Sequence, residues 1–177
     1  MQFLQKQLAD PNVSEYEKKR IRQRLGVEVI YSENDFTDKH KHELLSFVAD
    51  YLEDQLSIIR KKKKTNSPFD FFTDTLKTIY YLSGYSGFFE EDSLEQLYDI
   101  GDFDEIKGIA EGFKKINRLS DAELVESLLK KRKITEKKVE QLLDHFREDE
   151  NVVHEIDSGV EKLIRAHLDE ILSLQNM

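Results

Sequence analysis

Apolar positions recur every three or four residues over most of the chain, the spacing that lays a stripe along one side of an α-helix. The stripe is richest between Ser67 and Phe89, where Phe69, Phe71, Phe72, Tyr80, Tyr81, Tyr85, Phe88 and Phe89 crowd together. Ser67 predicts a helix start: its hydroxyl can satisfy a free amide, Pro68 suits the first helical position, and Asp70 sits in the positive first turn. Phe69, Phe72, Leu76, Ile79 and Tyr80 would then share one face, and Gly84 and Gly87 mark the turn that follows. Fully burying a large apolar side chain contributes roughly 1.5–3 kcal/mol. This stretch is therefore expected to lie dry at the centre of the fold.

The same period predicts the other elements. Ser14-Glu15-Tyr16-Glu17 has the spacing of a capping box and opens a short helix ending near Gly26. Val27 to Tyr31 has strand-like composition but no partner strand, so it is expected to be extended loop or a continuation of the helix. A long helix should span about Thr37 to Lys63, with Leu44, Leu45, Phe47, Val48, Tyr51, Leu52, Leu56 and Ile59 inside. Ser93-Leu94-Glu95-Gln96 predicts a short helix stopping near Gly101. A further helix from about Asp102 to Asn117 contains Gly108 and Gly112, each costing roughly 1 kcal/mol against alanine unless a neighbouring helix packs close there. Ser120 and Thr135 open two more helices. The last runs from about Asn151 to Leu174, with a break expected near Asn151 or Gly159 if it is interrupted at all.

Composition sharpens this into a fold class. Gly (7) and Pro (2) are scarce in 177 residues and charged residues make up 36%, which favours helices over a sandwich or barrel. The expectation is an all-α, irregular multi-helix bundle of six to eight helices around a central aromatic-rich helix. It would form a single helical domain, 1–177, with a sub-boundary near 118–121 and a C-terminal helical hairpin over 121–175. No apolar run approaches the roughly 20 residues that span a bilayer, and the first residues lack the apolar core of a secretory signal. Cysteine is absent, which removes disulfides, thiolate metal sites and a thiol nucleophile. A cytoplasmic protein with no membrane association is expected.

The net charge of −9 is unevenly placed: residues 78–106 carry eight acidic side chains and no lysine or arginine. Glu90, Glu91, Asp92, Glu95, Asp99 and Asp102 alternate there with Phe88, Phe89 and Tyr98. Carboxylates around exposed aromatics would suit docking onto a basic protein surface. The last helix is also long enough to bind a partner or to pair with a second copy as a homodimer. Two basic clusters, 60–64 and 130–133, could grip phosphates, but the acidic balance of the chain disfavours nucleic acid and helix ends are commonly basic. His40, His42, His145, His154 and His167 lack the Glu-x-x-His spacing of a helical metal site, so no metal or cofactor is expected. His145-x-x-Glu148 and His167-x-x-Glu170 instead place an acid one turn after each histidine.

One segment resembles a catalytic motif. Arg147-Glu148-Asp149-Glu150-Asn151-Val152-Val153-His154-Glu155 is similar to the spaced arginine–histidine pair of HEPN-type helical ribonucleases, including the Asn-x-Val-His-Glu seen near the histidine. It departs from that pattern in having Glu148 beside the arginine, with Asn151 four positions on. The resemblance implies metal-independent RNA cleavage, commonly across a dimer, with Arg147 on the scissile phosphate and His154 in proton transfer. Three functions are thus in view. The first is a non-enzymatic regulator, adaptor or inhibitor docking a protein partner through the acidic-aromatic stretch or the C-terminal helix. The others are a HEPN-like ribonuclease and a nucleic-acid-binding regulator.

Overall fold

The computed structural model describes residues 7–11, 13, 15–25, 29–39, 41–89, 103–130 and 135–177. Among them every regular element is helical and none is a strand. The chain's own contacts divide it into two compact units, Met1–Asp38 and Lys39–Met177.

The first unit contains α1 (Glu15–Arg24) and the single turn α2 (Asn34–Thr37). Residues 29–31 between them are irregular, with Tyr31 buried and Ile30 exposed. Asp35 ties this unit together: it accepts from Lys19 Nζ at 2.7 Å and from the Ser32 amide at 2.8 Å. Partial burial pushes the Asp35 carboxyl up, but Lys19 and Ser32 outweigh that and hold it below its ordinary value.

The first helix of the second unit is α3 (Lys41–Lys63), so the long helix expected from Thr37 is preceded by a separate turn and by non-helical residues 38–39. Next comes the aromatic stretch, and here the structure departs from expectation. Ser67 makes no side-chain cap; Pro68–Phe71 form one 3-10 turn, and Phe72 is extended. The helix proper, α4 (Asp74–Ser83), is capped by Thr73, whose hydroxyl accepts from the Leu76 amide. The interruption swings Phe72 inward to join Leu76, Ile79 and Leu82 in the core, while Phe69 and Tyr80 stay half-buried. Phe69 sits edge-on to Tyr80, their centroids 5.1 Å apart.

After Gly84 comes the turn α5 (Tyr85–Phe88); the short helix expected from Ser93 to Gly101 lies outside the described residues, and α6 (Asp104–Lys115) and α7 (Leu119–Leu129) pack on each other across the tight turn at Asn117, where φ is 61°. A Cβ on Gly108 would fall 2.3 Å from the Tyr81 ring, and one on Gly112 would fall 2.6 Å from Leu82 Cγ. The two glycines thus mark the close approach of α6 to α4. The region 118–121 lies within this packed pair, inside the second unit.

The remaining elements are α8 (Glu136–Leu143), a π-helical turn over Asp144–Glu148, α9 (Glu150–Ala166) and α10 (Leu168–Ser173), with a final 3-10 turn at Leu174–Asn176. The interruption before α9 falls at Asp149, whose carboxylate accepts from the Asn151 and Val152 amides as an N-cap. Gly159 does not break α9; a Cβ there would fall 3.1 Å from Ile116 Cβ, so the glycine gives that side chain room. α9 packs on α3, α4 and the π turn. Ile156, Val160 and Ile164 of α9 are buried, as are Leu168 and Ile171 of α10, so the apolar stripe of the C-terminal helix is covered by its own chain. Val152, Val153, Leu163 and Leu172 are half-buried. No described helix is long and apolar enough to cross a membrane.

Candidate functional site

The acidic-aromatic stretch read from the sequence divides on folding. Phe88 and Phe89 are 8% and 0% exposed. Phe89 stacks on Phe146 with ring centroids 4.1 Å apart, and Phe146 stacks in turn against Phe113 at 5.4 Å. Both rings belong to the core and neither presents itself as an open anchor, because burial against two further rings outweighs exposure beside the acids. Glu90, Glu91, Asp92, Glu95, Tyr98, Asp99 and Asp102 lie outside the described residues.

An acidic-aromatic groove does exist on the second unit, built from other side chains. Tyr80 and Tyr81 of α4, Phe88 of α5, Glu105 and Ile109 of α6, and Ala49 and Glu53 of α3 line a cavity of about 270 Å³. The tyrosines reach it because the break at Phe72 sets the register of α4. Leu76, Ile79 and Leu82 then point inward, and Tyr80 and Tyr81 fall on the boundary with solvent. Their rings meet edge-to-face at 5.6 Å. Burial, and then the negative charges of Glu53 and Glu105, push the Tyr80 hydroxyl above its ordinary range.

A second cavity, about 390 Å³, shares the small residues Ala49, Gly84 and Gly87 with the first. Its lining adds Asp50, Tyr85, Phe146, Arg147, Val153 and Asp157. Asp157 is only 4% exposed and accepts from the Tyr85 hydroxyl at 3.1 Å. Burial first, and then Asp157, drive the Tyr85 hydroxyl well above its ordinary value. Arg147 lies on the π turn and is exposed at this cavity; His154 is exposed on α9 and does not line it.

A third polar cluster joins α7, the π turn and α9. Asp121, 1% exposed, is bound by Arg118 and by His145 Nε2 at 2.7 Å, and Arg118 also pairs with Glu155. His145 thus pairs with Asp121, not with Glu148 as its spacing suggested, whereas His167 does reach Glu170 at 3.4 Å. Arg60 to Lys64 are exposed at the C-terminal end of α3, where positive charge complements the helix dipole. Lys130 is exposed at the end of α7, and residues 131–134 lie outside the described residues.

Asp121 and Asp157 were not singled out by sequence reasoning, although a signal existed. Asp121 falls in register with Val125 and Leu128, and Asp157 with Val160 and Ile164, so each is a carboxyl set into an apolar stripe. No family model matches the chain, and no curated protein or solved structure matches it either.

Proposed function

We propose that this chain is a non-enzymatic interaction protein, an adaptor or inhibitor, in which an irregular bundle of six to eight helices around the aromatic-rich helix presents the groove beside Tyr80 and Tyr81 to a basic segment of a protein partner. One observation carries this: two tyrosine rings and two carboxylates, Glu53 and Glu105, converge on a cavity large enough for a lysine or arginine side chain. A cation over a tyrosine face is attracted by the ring quadrupole, and flanking carboxylates complete its pairing. The sequence adds to the field, since residues 78–106 contribute eight acids and no lysine or arginine. Such a site accepts a basic side chain and repels an acidic one, and it asks for no reacting group. A cytoplasmic setting suits a chain with no cysteine.

Fluorescence anisotropy with a labelled lysine- and arginine-rich peptide tests the proposal. Replacing Glu53 and Glu105 together by glutamine should weaken binding about tenfold or more, the scale of a pair of partly desolvated charge contacts. A glutamate-rich control peptide should not bind. Equal affinity of the native and doubly substituted proteins for the basic peptide would remove this groove from the account.

A further inference from the structure

The walls of the cavity beside Tyr80 and Tyr81 discriminate among the cations that a basic segment can carry. Three aromatic rings, those of Tyr80, Tyr81 and Phe88, share its lining with the buried Ile109 side chain. The two tyrosine planes stand at 74° to one another, so they form adjacent walls of a corner. Both rings are held in place. Tyr80 packs edge-to-face with Phe69, and Tyr81 lies against the bare backbone of α6, where a Cβ on Gly108 would fall 2.3 Å from its ring. Rings fixed before a ligand arrives lose little freedom on binding it.

Hydrogen bonding and charge narrow the choice further. Glu53 and Glu105 are exposed, so they lend negative potential from the rim. Inside, no side-chain acceptor is waiting: among the described residues every buried side-chain nitrogen and oxygen already has a hydrogen-bond partner. An unmodified lysine ammonium brings three N–H donors and a tight hydration shell, and against aromatic walls those donors would go unmet. A trimethylated ammonium keeps the charge, has no donor to satisfy, and is drawn to ring faces. The cavity, about 270 Å³, has the volume of roughly nine waters at about 30 Å³ each, room for such a head and the end of its side chain.

We propose that the basic group taken by this cavity is a trimethylated lysine of the partner polypeptide. Its quaternary ammonium sits in the corner of Tyr80 and Tyr81, its methyl groups meet Phe88 and Ile109, and Glu53 and Glu105 balance its charge from the rim. This rests on the reading that the cavity receives a basic segment, and it names the chemical form of that segment.

The test uses the full chain and fluorescein-labelled hexapeptides that carry one lysine among neutral residues. The lysine is unmodified, trimethylated, or replaced by a neutral isostere with a quaternary carbon in place of the nitrogen. On the native protein the trimethylated peptide should bind about tenfold tighter than either of the others. Tyr80→Leu and Tyr81→Leu should each erase its advantage over the isostere, whereas Glu53→Gln with Glu105→Gln should weaken the trimethylated and unmodified peptides alike. Unmodified lysine binding as tightly as trimethylated lysine would overturn the methylated form, and the basic-segment reading would stand on its own test with the lysine- and arginine-rich peptide. An isostere as tight as the trimethylated peptide, or failure of every basic peptide, would overturn both. Choline binding as tightly as the trimethylated peptide would overturn the assignment to a polypeptide. If a leucine variant loses its helical circular-dichroism signal, the three peptides on the native protein decide alone.

Discussion

Asp157 and Tyr85 show how much of this protein's chemistry rests on single polar groups set into apolar surroundings. A buried carboxyl without a partner costs several kcal/mol, and a hydrogen bond to a charged group recovers roughly 1.5–3 kcal/mol. Because the folded state holds the Tyr85 hydroxyl above its unfolded value, it favours the protonated phenol. The resulting stability is fully present below about pH 10, the unfolded value, and is lost as the pH rises through the folded value. Urea denaturation between pH 8 and 11 should therefore show native stability falling steeply above pH 10, and Tyr85→Phe should be weaker at pH 8 yet fall less steeply. An identical alkaline slope in the two proteins would mean that Tyr85 is not the group responsible. At the acid end Asp35 acts in the opposite sense. Its lowered value gives stability that is present above about pH 4 and lost as the pH falls further.

At the level of the element, the aromatic segment separates two cap signals that look alike in the sequence. Ser67 with Pro68 opens a 3-10 turn, whereas Thr73 holds the true helix start by accepting from Leu76. Removing a working cap costs about 1 kcal/mol. Thr73→Ala should thus destabilise by about that amount in a thermal or urea melt, and Ser67→Ala by much less; the reverse order would restore a helix beginning at Pro68. Thr73 also meets Glu170 after the end of α9, so its hydroxyl serves two contacts. Gly108 and Gly112 were legible as glycines needing a close neighbour, and the neighbour is α4. The identity of that neighbour was not legible, because nothing within α6 encodes which helix will lie against it.

For the whole molecule, the acidic excess and its placement govern how a partner would arrive. A charge of −9, with an eight-acid segment free of lysine and arginine, steers basic chains by long-range attraction that salt screens over roughly 10 Å at 0.1 M. Stopped-flow measurements with the basic peptide should show the association rate falling several-fold between low and physiological salt, while dissociation changes little. An association rate indifferent to salt would argue against a site built on Glu53 and Glu105. The helical class, the apolar stripes and the lack of a membrane-spanning run all depend on residues near one another in the chain. That is why a pattern of apolar and polar positions was enough to read them. Which aromatics face inward and which line the groove depends on contacts between distant segments. Phe89 is committed to the core by Phe146, and Tyr80 and Tyr81 are left at the boundary by Ala49, Glu53 and Glu105. Asp121 finds His145, and Tyr85 finds Asp157, across separations of 24 and 72 residues. Pairing of that kind is set by distance in space and by exclusion of water, and neither quantity exists until the helices have packed.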